Sequence, residues 1–236
     1  TNPILITNAL TILGHTGPGG AFIVPLTSPN TTPPIWLSNT WAVLDGLAIT
    51  GCVNRLTYNI YGPLYLQMGT VRNCRIAQNV NVSVGAGIIL GGLMENCAIV
   101  SNRSTHVNTG YGGGLRIAGG MVSNSLIAYN QAVDGGGGVY MTGGALVRSV
   151  IRDNLKASGN VNRHGGGVWM TAGLLANCLL YSNRITSLTG YGAGVAIEGG
   201  RLLNCTVVDN LRTEGNPYSG IYQTGGAISN CIAFYN

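Results

Sequence analysis

Apolar and polar positions along this chain recur with two periods at once. At short range, Gly138-Val139-Tyr140-Met141, Gly167-Val168-Trp169-Met170 and Gly194-Val195-Ala196-Ile197 alternate with period two. That is the spacing of a strand with one buried face, and the runs are too short for turns of helix. At longer range the whole pattern returns as an apolar-x-Asn-Cys-x-apolar-x-x-Asn stretch, a polar loop, a Gly-rich run opening a short apolar strand, and a closing Gly-Gly. The last Asn of each copy falls at Asn79, Asn102, Asn130, Asn154, Asn183, Asn210 and Asn236, at spacings of 23, 28, 24, 29, 27 and 26 residues. A period in this range predicts stacked supersecondary units, none able to bury its apolar face alone. Strands repeated at one place per copy, all running the same way, stack as parallel ladders about 4.8 Å apart. The expected fold is all-β, a single-domain parallel β-helix of about eight to nine coils.

In this frame residues 1–43 read as an irregular first coil and 44–236 as regular coils. Leu10-Thr11-Ile12-Leu13-Gly14 lines up with Leu47-Ala48-Ile49-Thr50-Gly51, and the excess length falls in a Pro/Thr/Asn stretch from Pro25 to Pro34, whose composition marks an exposed loop. One inward row is expected to run Leu64, Ile88, Leu115, Val139, Val168, Val195 and Ile221. A second, two residues on, runs Leu66, Leu90, Ile117, Met141, Met170, Ile197 and, out of pattern, Gln223. Further rows begin Val71, Met94, Val122 and Leu47, Ile76, Ile99. Cys74, Cys97, Cys178, Cys205 and Cys231 share one repeat position with Ser125 and Ser149, while Cys52 falls in the Asn frame. Stacked neighbours have parallel Cβ vectors, which disfavours disulfides and predicts free buried thiols. The recurring Asn is expected to form a ladder, each side chain bonding its equivalent one coil away.

Composition narrows the function without naming it. Only 8% of the 236 residues are charged and 38 are Gly, as tight turns and small inward positions require. No run of 18 apolar residues occurs, so no helical membrane span is expected. The net charge of +5 comes from scattered Arg, with no basic cluster interleaved with aromatics, so nucleic acid is not an expected partner. Lys156 is the only lysine, which removes the Gly-rich loop ending in Gly-Lys-Ser/Thr that cradles nucleotide phosphates. No Cys/His spacing suggests zinc and no clustered acids suggest calcium, so neither metal nor cofactor is expected. Asp153 and Asp209 share a repeat position, but two coils, about 9.6 Å, part them, the outer limit for inverting glycosidases. The sequon Asn204-Cys205-Thr206 is a weak glycosylation signal, as are those opening at Asn30, Asn81 and Asn102, the last a ladder position.

Candidate chemistry lies on the outside. The outward positions of the Gly-rich strand read Tyr65, Ile89, Arg116, Tyr140, Trp169, Ala196 and Tyr222. Tyr65, Arg116, Tyr140, Trp169 and Tyr222 are the candidate binding residues, because aromatic and Arg surfaces mark contacts with sugars or proteins. Beside them runs a ridge of variable loops at 80–86, 103–113, 131–137, 155–166, 184–193 and 211–219, holding His106, Tyr111, Asp134, His164, Tyr191, Glu214 and Tyr218. Loops on one edge of a solenoid are a usual place for binding.

The repeat as a whole resembles the right-handed parallel β-helix superfamily of pectate-lyase-like proteins. Gly113-Gly114-Leu115, Gly137-Gly138-Val139, Gly166-Gly167-Val168 and Gly225-Gly226-Ala227, with Ile76–Asn79, Ile99–Asn102, Ile127–Asn130, Ile151–Asn154 and Leu180–Asn183, are similar to the GGA[ILV] and FxxN repeats of bacterial polymorphic outer-membrane proteins and related surface adhesins. The resemblance covers about Leu44 to Asn236 and implies an extracellular or cell-surface β-helix. Polysaccharide lyases of this fold carry a calcium-binding acidic cluster that is missing here, and the adhesins carry a C-terminal barrel or anchor that is not seen in this sequence. Both ends read as uncapped, so a head-to-tail homo-oligomer, a filament, is one expected assembly. The expected function is a non-enzymatic structural or adhesive β-helix, with glycans among its expected partners. A polysaccharide-binding module or a polysaccharide lyase or hydrolase is the alternative.

Overall fold

Three backbone features bend every copy of the repeat into a coil. The closing glycine takes a positive φ, as at Gly120 (62°), Gly144 (65°) and Gly200 (84°), and the chain bends there between the first and second strands. The Asn before the Cys position is left-handed in nearly every coil, from Asn73 (54°) to Asn230 (52°), with Arg148 the exception in kind. The residue before the ladder Asn is also left-handed, from Gln78 (57°) to Tyr235 (49°). Asn reaches this region at lower cost than most residues, which is why the second corner is written almost entirely in Asn.

The computed structural model describes residues 4–14, 21–23, 33, 35–53, 61–157, 164–187, 190–213 and 220–236. They form an all-β parallel solenoid of about seven turns, rather than eight to nine, with no helix among the described residues. Three ladders run along its axis: a wide 16-stranded sheet that receives two strands per coil, a nine-stranded sheet, and a six-stranded sheet of two-residue strands. Each regular coil passes through all three in order, as Leu115–Ile117 and Met121–Ser123, then Leu126–Ala128, then Gln131–Ala132. Neighbouring strands pair in parallel, so residues one repeat apart sit on the same face.

The inward rows close into one apolar core. Val71, Met94, Val122, Leu146, Leu175, Leu202 and Ile228 stack in register as the pattern demands. Three assignments shift. Gly87 and Ile89, not Ile88 and Leu90, pair with the inward residues of the flanking strands, so Ile88 faces outward in place of Ile89. Gly85-Ala86-Gly87 explains the slip, because its small residues hide where the alternation begins. Ile49, not Leu47, stacks on Ile76, although both are buried. Thr11–Leu13 stacks on Val43–Asp45, one strand earlier in the coil than the alignment with Leu47–Thr50 implies. The stretch 24–32 lies outside the described residues.

The asparagine ladder is continuous. Each Nδ2 donates to the Oδ1 of the next ladder Asn at 2.9–3.0 Å, from Asn79–Asn102 to Asn210–Asn236. The same Oδ1 accepts the backbone N–H of the preceding ladder Asn, as Asn154 does from Asn130 at 2.9 Å. The second amide proton goes to a strand carbonyl of the coil behind, as from Asn130 to Ile99 at 2.9 Å. Cys52 takes the position before Asn79 and donates its N–H to that side chain, as its frame predicts. The ladder also accounts for the Gly-Gly motif: a Cβ on Gly138 would lie 2.9 Å from Asn154 Nδ2 and 2.8 Å from the Gly167 carbonyl. Only a residue without a side chain passes over the amides at that distance.

The cysteines are all free. Each thiol or hydroxyl in their column donates to the carbonyl two residues back, as Cys178 to Ala176 at 3.2 Å and Ser125 to Ser123 at 2.7 Å. Burial pushes the Cys52 thiol up to about 11, and its partner Cys74, with burial, raises Cys97, so these groups stay protonated at neutral pH.

Candidate functional site

On the outer face of the Gly-rich strand the pairing aligns Trp36, Tyr65, Ile88, Arg116, Tyr140, Trp169, Ala196 and Tyr222 in one column. All five candidate residues therefore share a face. Trp36 belongs with them and was hidden in the irregular first coil. It meets Tyr65 edge-on at 5.2 Å, and Tyr65 meets Tyr61 at 5.0 Å. Burial, followed by the nearby Tyr61, raises the Tyr65 phenol.

The column is not the bare flat surface that its spacing suggests. The ridge loops fold back onto its middle, and Trp169 is only 4% exposed. Tyr111 packs its ring 5.1 Å from Tyr140 and 5.6 Å from Trp169, and those two are 4.8 Å apart. His164 stacks on Tyr191 at 5.4 Å and reaches Tyr222 at 5.0 Å, and Tyr191 stacks on Tyr222 at 4.8 Å. One contiguous wall of rings results, with strand residues as its base and loop residues as its rim. Arg116 closes one side, its guanidinium carbon 5.8 Å from the Tyr140 centroid, and its Nε is buried without a hydrogen-bond partner. Arg212 lies 5.1 Å over the Tyr191 ring.

Polar groups on the wall are fixed by specific bonds. Trp169 Nε1 donates to Glu198 Oε1 at 2.8 Å, repeating what Trp36 Nε1 does to Gln67 Oε1 at 3.1 Å. His164 Nδ1 accepts the Tyr191 N–H at 3.3 Å, which leaves the neutral ring's proton on Nε2, facing Glu198 Oε1 at 3.9 Å. Glu198 is the exposed carboxylate of this wall. The spacing of the acids does not single it out, because its role follows from an indole one coil away.

Beneath the same loops is a second, buried group. The inward column of the short sheet reads Asn81, Ser104, Ala132, Lys156, Ile185 and Arg212. Asn81 and Ser104 tie their own loops by donating to the Gly85 and Gly110 carbonyls at 3.0 and 2.9 Å. Lys156 has 0% exposure and donates to Ser187 Oγ at 2.8 Å, with buried Asp134 nearby. Burial pushes its ammonium down to about 8, Arg212 adds to the shift, and Asp134 opposes it.

The other candidates disperse. His106 bonds Thr109 within its own loop, and Glu214 and Tyr218 lie outside the described residues. Asp153 and Asp209 stand at left-handed corners on another edge, Asp153 paired with Arg152. Among the described residues, no group of three or more His, Cys, Asp or Glu is placed to hold a metal ion. No helix there is long and apolar enough to cross a membrane. Asn81 and Asn102 of the sequons are buried, whereas Asn204 is exposed at a corner. Neither a protein-family model, nor a curated protein, nor a solved structure matches the chain.

Proposed function

We propose that this chain is a non-enzymatic extracellular β-helix that makes adhesive contacts through its aromatic wall, with glycans as the partner class. The observation that carries this reading is the unbroken ring-to-ring contact from Tyr140 through Trp169 and His164 to Tyr222, assembled from strands and loops of successive coils. A wall of contacting rings offers sugar C–H groups an amphipathic surface at little entropic cost. Arg116 supports the reading, because it stands in the same outward column beside Tyr140, where a guanidinium can meet a ligand oxygen. The repeat's resemblance to surface adhesins agrees with a place outside the cell.

Trp169 is too deeply packed to test contact, and its truncation reports on folding instead. Tyr140 and Tyr222 are partly exposed. Tyr140→Ala and Tyr222→Ala are expected to abolish retention on an array of neutral and acidic oligosaccharides while leaving the thermal transition in place. Equal retention by the variants and the parent chain would overturn the proposal. Glu198 supports a second reading, a polysaccharide-cleaving enzyme with this carboxylate as its acid or base. Release of reducing or unsaturated sugar ends, abolished by Glu198→Gln, would establish that reading in place of the first.

A further inference from the structure

We propose that Trp36, Tyr65 and Gln67 form a second glycan site, selective for neutral sugars, which together with the aromatic wall lets one chain hold a single polysaccharide at two points. The inference rests on the adhesive reading of the wall and adds to it a place, a ligand class and a length requirement. The first coils repeat the wall's central device. Trp36 Nε1 donates to Gln67 Oε1 at 3.1 Å, as Trp169 Nε1 does to Glu198 Oε1 at 2.8 Å. In both cases the acceptor lies in the next coil, two residues past the outward residue that pairs with the indole, Tyr65 or Ala196. The two indoles stand five strand pairings apart in one column, about 24 Å along the axis at about 4.8 Å each. Ile88 and Arg116 fill the two coils between Tyr65 and Tyr140, and Ile88 is buried, so the rings fall into two groups rather than one stripe.

The two groups differ in exposure, ring geometry and charge. Loop rings cover Trp169 at the wall, whereas Trp36, Tyr61 and Tyr65 are each half-buried and Gln67 is exposed. Trp36 and Tyr61 meet Tyr65 edge-on, at 75° and 88°, while Tyr191 and Tyr222 of the wall lie face against face at 28°. Edge-on contact leaves more ring face for a ligand than stacking does. The indole uses the Gln67 oxygen, which leaves the amide N–H groups as donors to a sugar oxygen beside the rings. Where the wall carries the Glu198 carboxylate, the acceptor here is a neutral amide, and none of these four side chains bears a formal charge. Rings beside an uncharged amide suit the C–H groups and hydroxyls of a neutral sugar. With three rings against the wall's six, the site adds to a hold that the wall has already made. A tethered second contact of this kind raises overall affinity on the order of a hundredfold or more.

Calorimetric titration of the full chain tests the proposal, with circular dichroism confirming each variant's fold. The probes are glucose, mannose and xylose oligomers too short to span about 24 Å, and soluble β-glucan, mannan and xylan. The parent chain is expected to bind one of these polymers about a hundredfold more tightly, per repeat unit, than the matching oligomer. Tyr65→Ala and Gln67→Ala should each remove most of that advantage and leave the oligomer's affinity unchanged. Gln67→Glu keeps an acceptor for the indole but removes the amide donors, so it should lose the advantage as Gln67→Ala does. An advantage that survives these substitutions would overturn the second site and leave the wall's reading standing, as would equal affinity of the parent for polymer and oligomer. A parent that binds no neutral probe would also overturn the second site, and retention on the oligosaccharide array then decides whether the adhesive reading falls with it.

Discussion

Two inward polar columns run side by side through this molecule and solve the same problem differently. The ladder column repeats one residue, so every amide finds its donors and acceptors in an identical amide one coil away. The short-sheet column changes at every step, from Asn81 through Ser104 and Ala132 to Lys156, Ile185 and Arg212. There Asn81, Ser104 and Lys156 each bond locally, to a loop carbonyl or a single hydroxyl. Translation satisfies a buried polar group completely when the sequence is periodic. Where function varies the loops, the column beneath must vary with them.

The sharpest way to break the contrast is Asn130→Ala. It strips partners from the Asn102 backbone N–H and amide, the Ile99 carbonyl and the Asn154 oxygen. With each buried orphan costing about 1–3 kcal/mol, unfolding by urea should show a loss of about 4 kcal/mol or more. Next is the ammonium of Lys156, whose folded pKa of about 8 lies below its unfolded 10.5. Between those values the unfolded chain holds more protons, so stability should rise as pH climbs from about 8 to 10.5, by up to about 3 kcal/mol. Lys156→Met should remove that rise when urea midpoints are compared across the range, whereas an unchanged slope would place the ammonium in water. Gly138→Ala drives a methyl onto the ladder and should cost about 2 kcal/mol in the same assay. The smallest effect is expected for Ser125→Cys, under about 1 kcal/mol, because the same column already accepts thiols at Cys97 and Cys178.

The ladder, the cysteine column and the outward aromatic row were legible because each obeys the period, and a period needs no knowledge of contacts. The register around Gly87 was not, since three small residues in succession carry no alternation to read. Trp36 escaped for a related reason: its coil departs from the regular spacing, although its strand stacks on Leu64–Leu66 in full register. The covering of Trp169 by Tyr111 and His164 depends on loop conformation, which residue spacing does not encode. The burial of Lys156 was equally hidden, because two-residue strands are too short to show which side faces in. Sequence therefore speaks for the translationally repeated part of the molecule, and the candidate site lies mostly in the remainder.

Every bond of the ladder spans a single repeat, between 23 and 29 residues. Stability in such a stack is a sum over adjacent neighbours, as in a one-dimensional magnet. A fault in the column then acts as a domain wall: the segments on either side keep their own couplings and lose only the joint. Protease should accordingly reach the Asn130→Ala chain first at the seam between the halves.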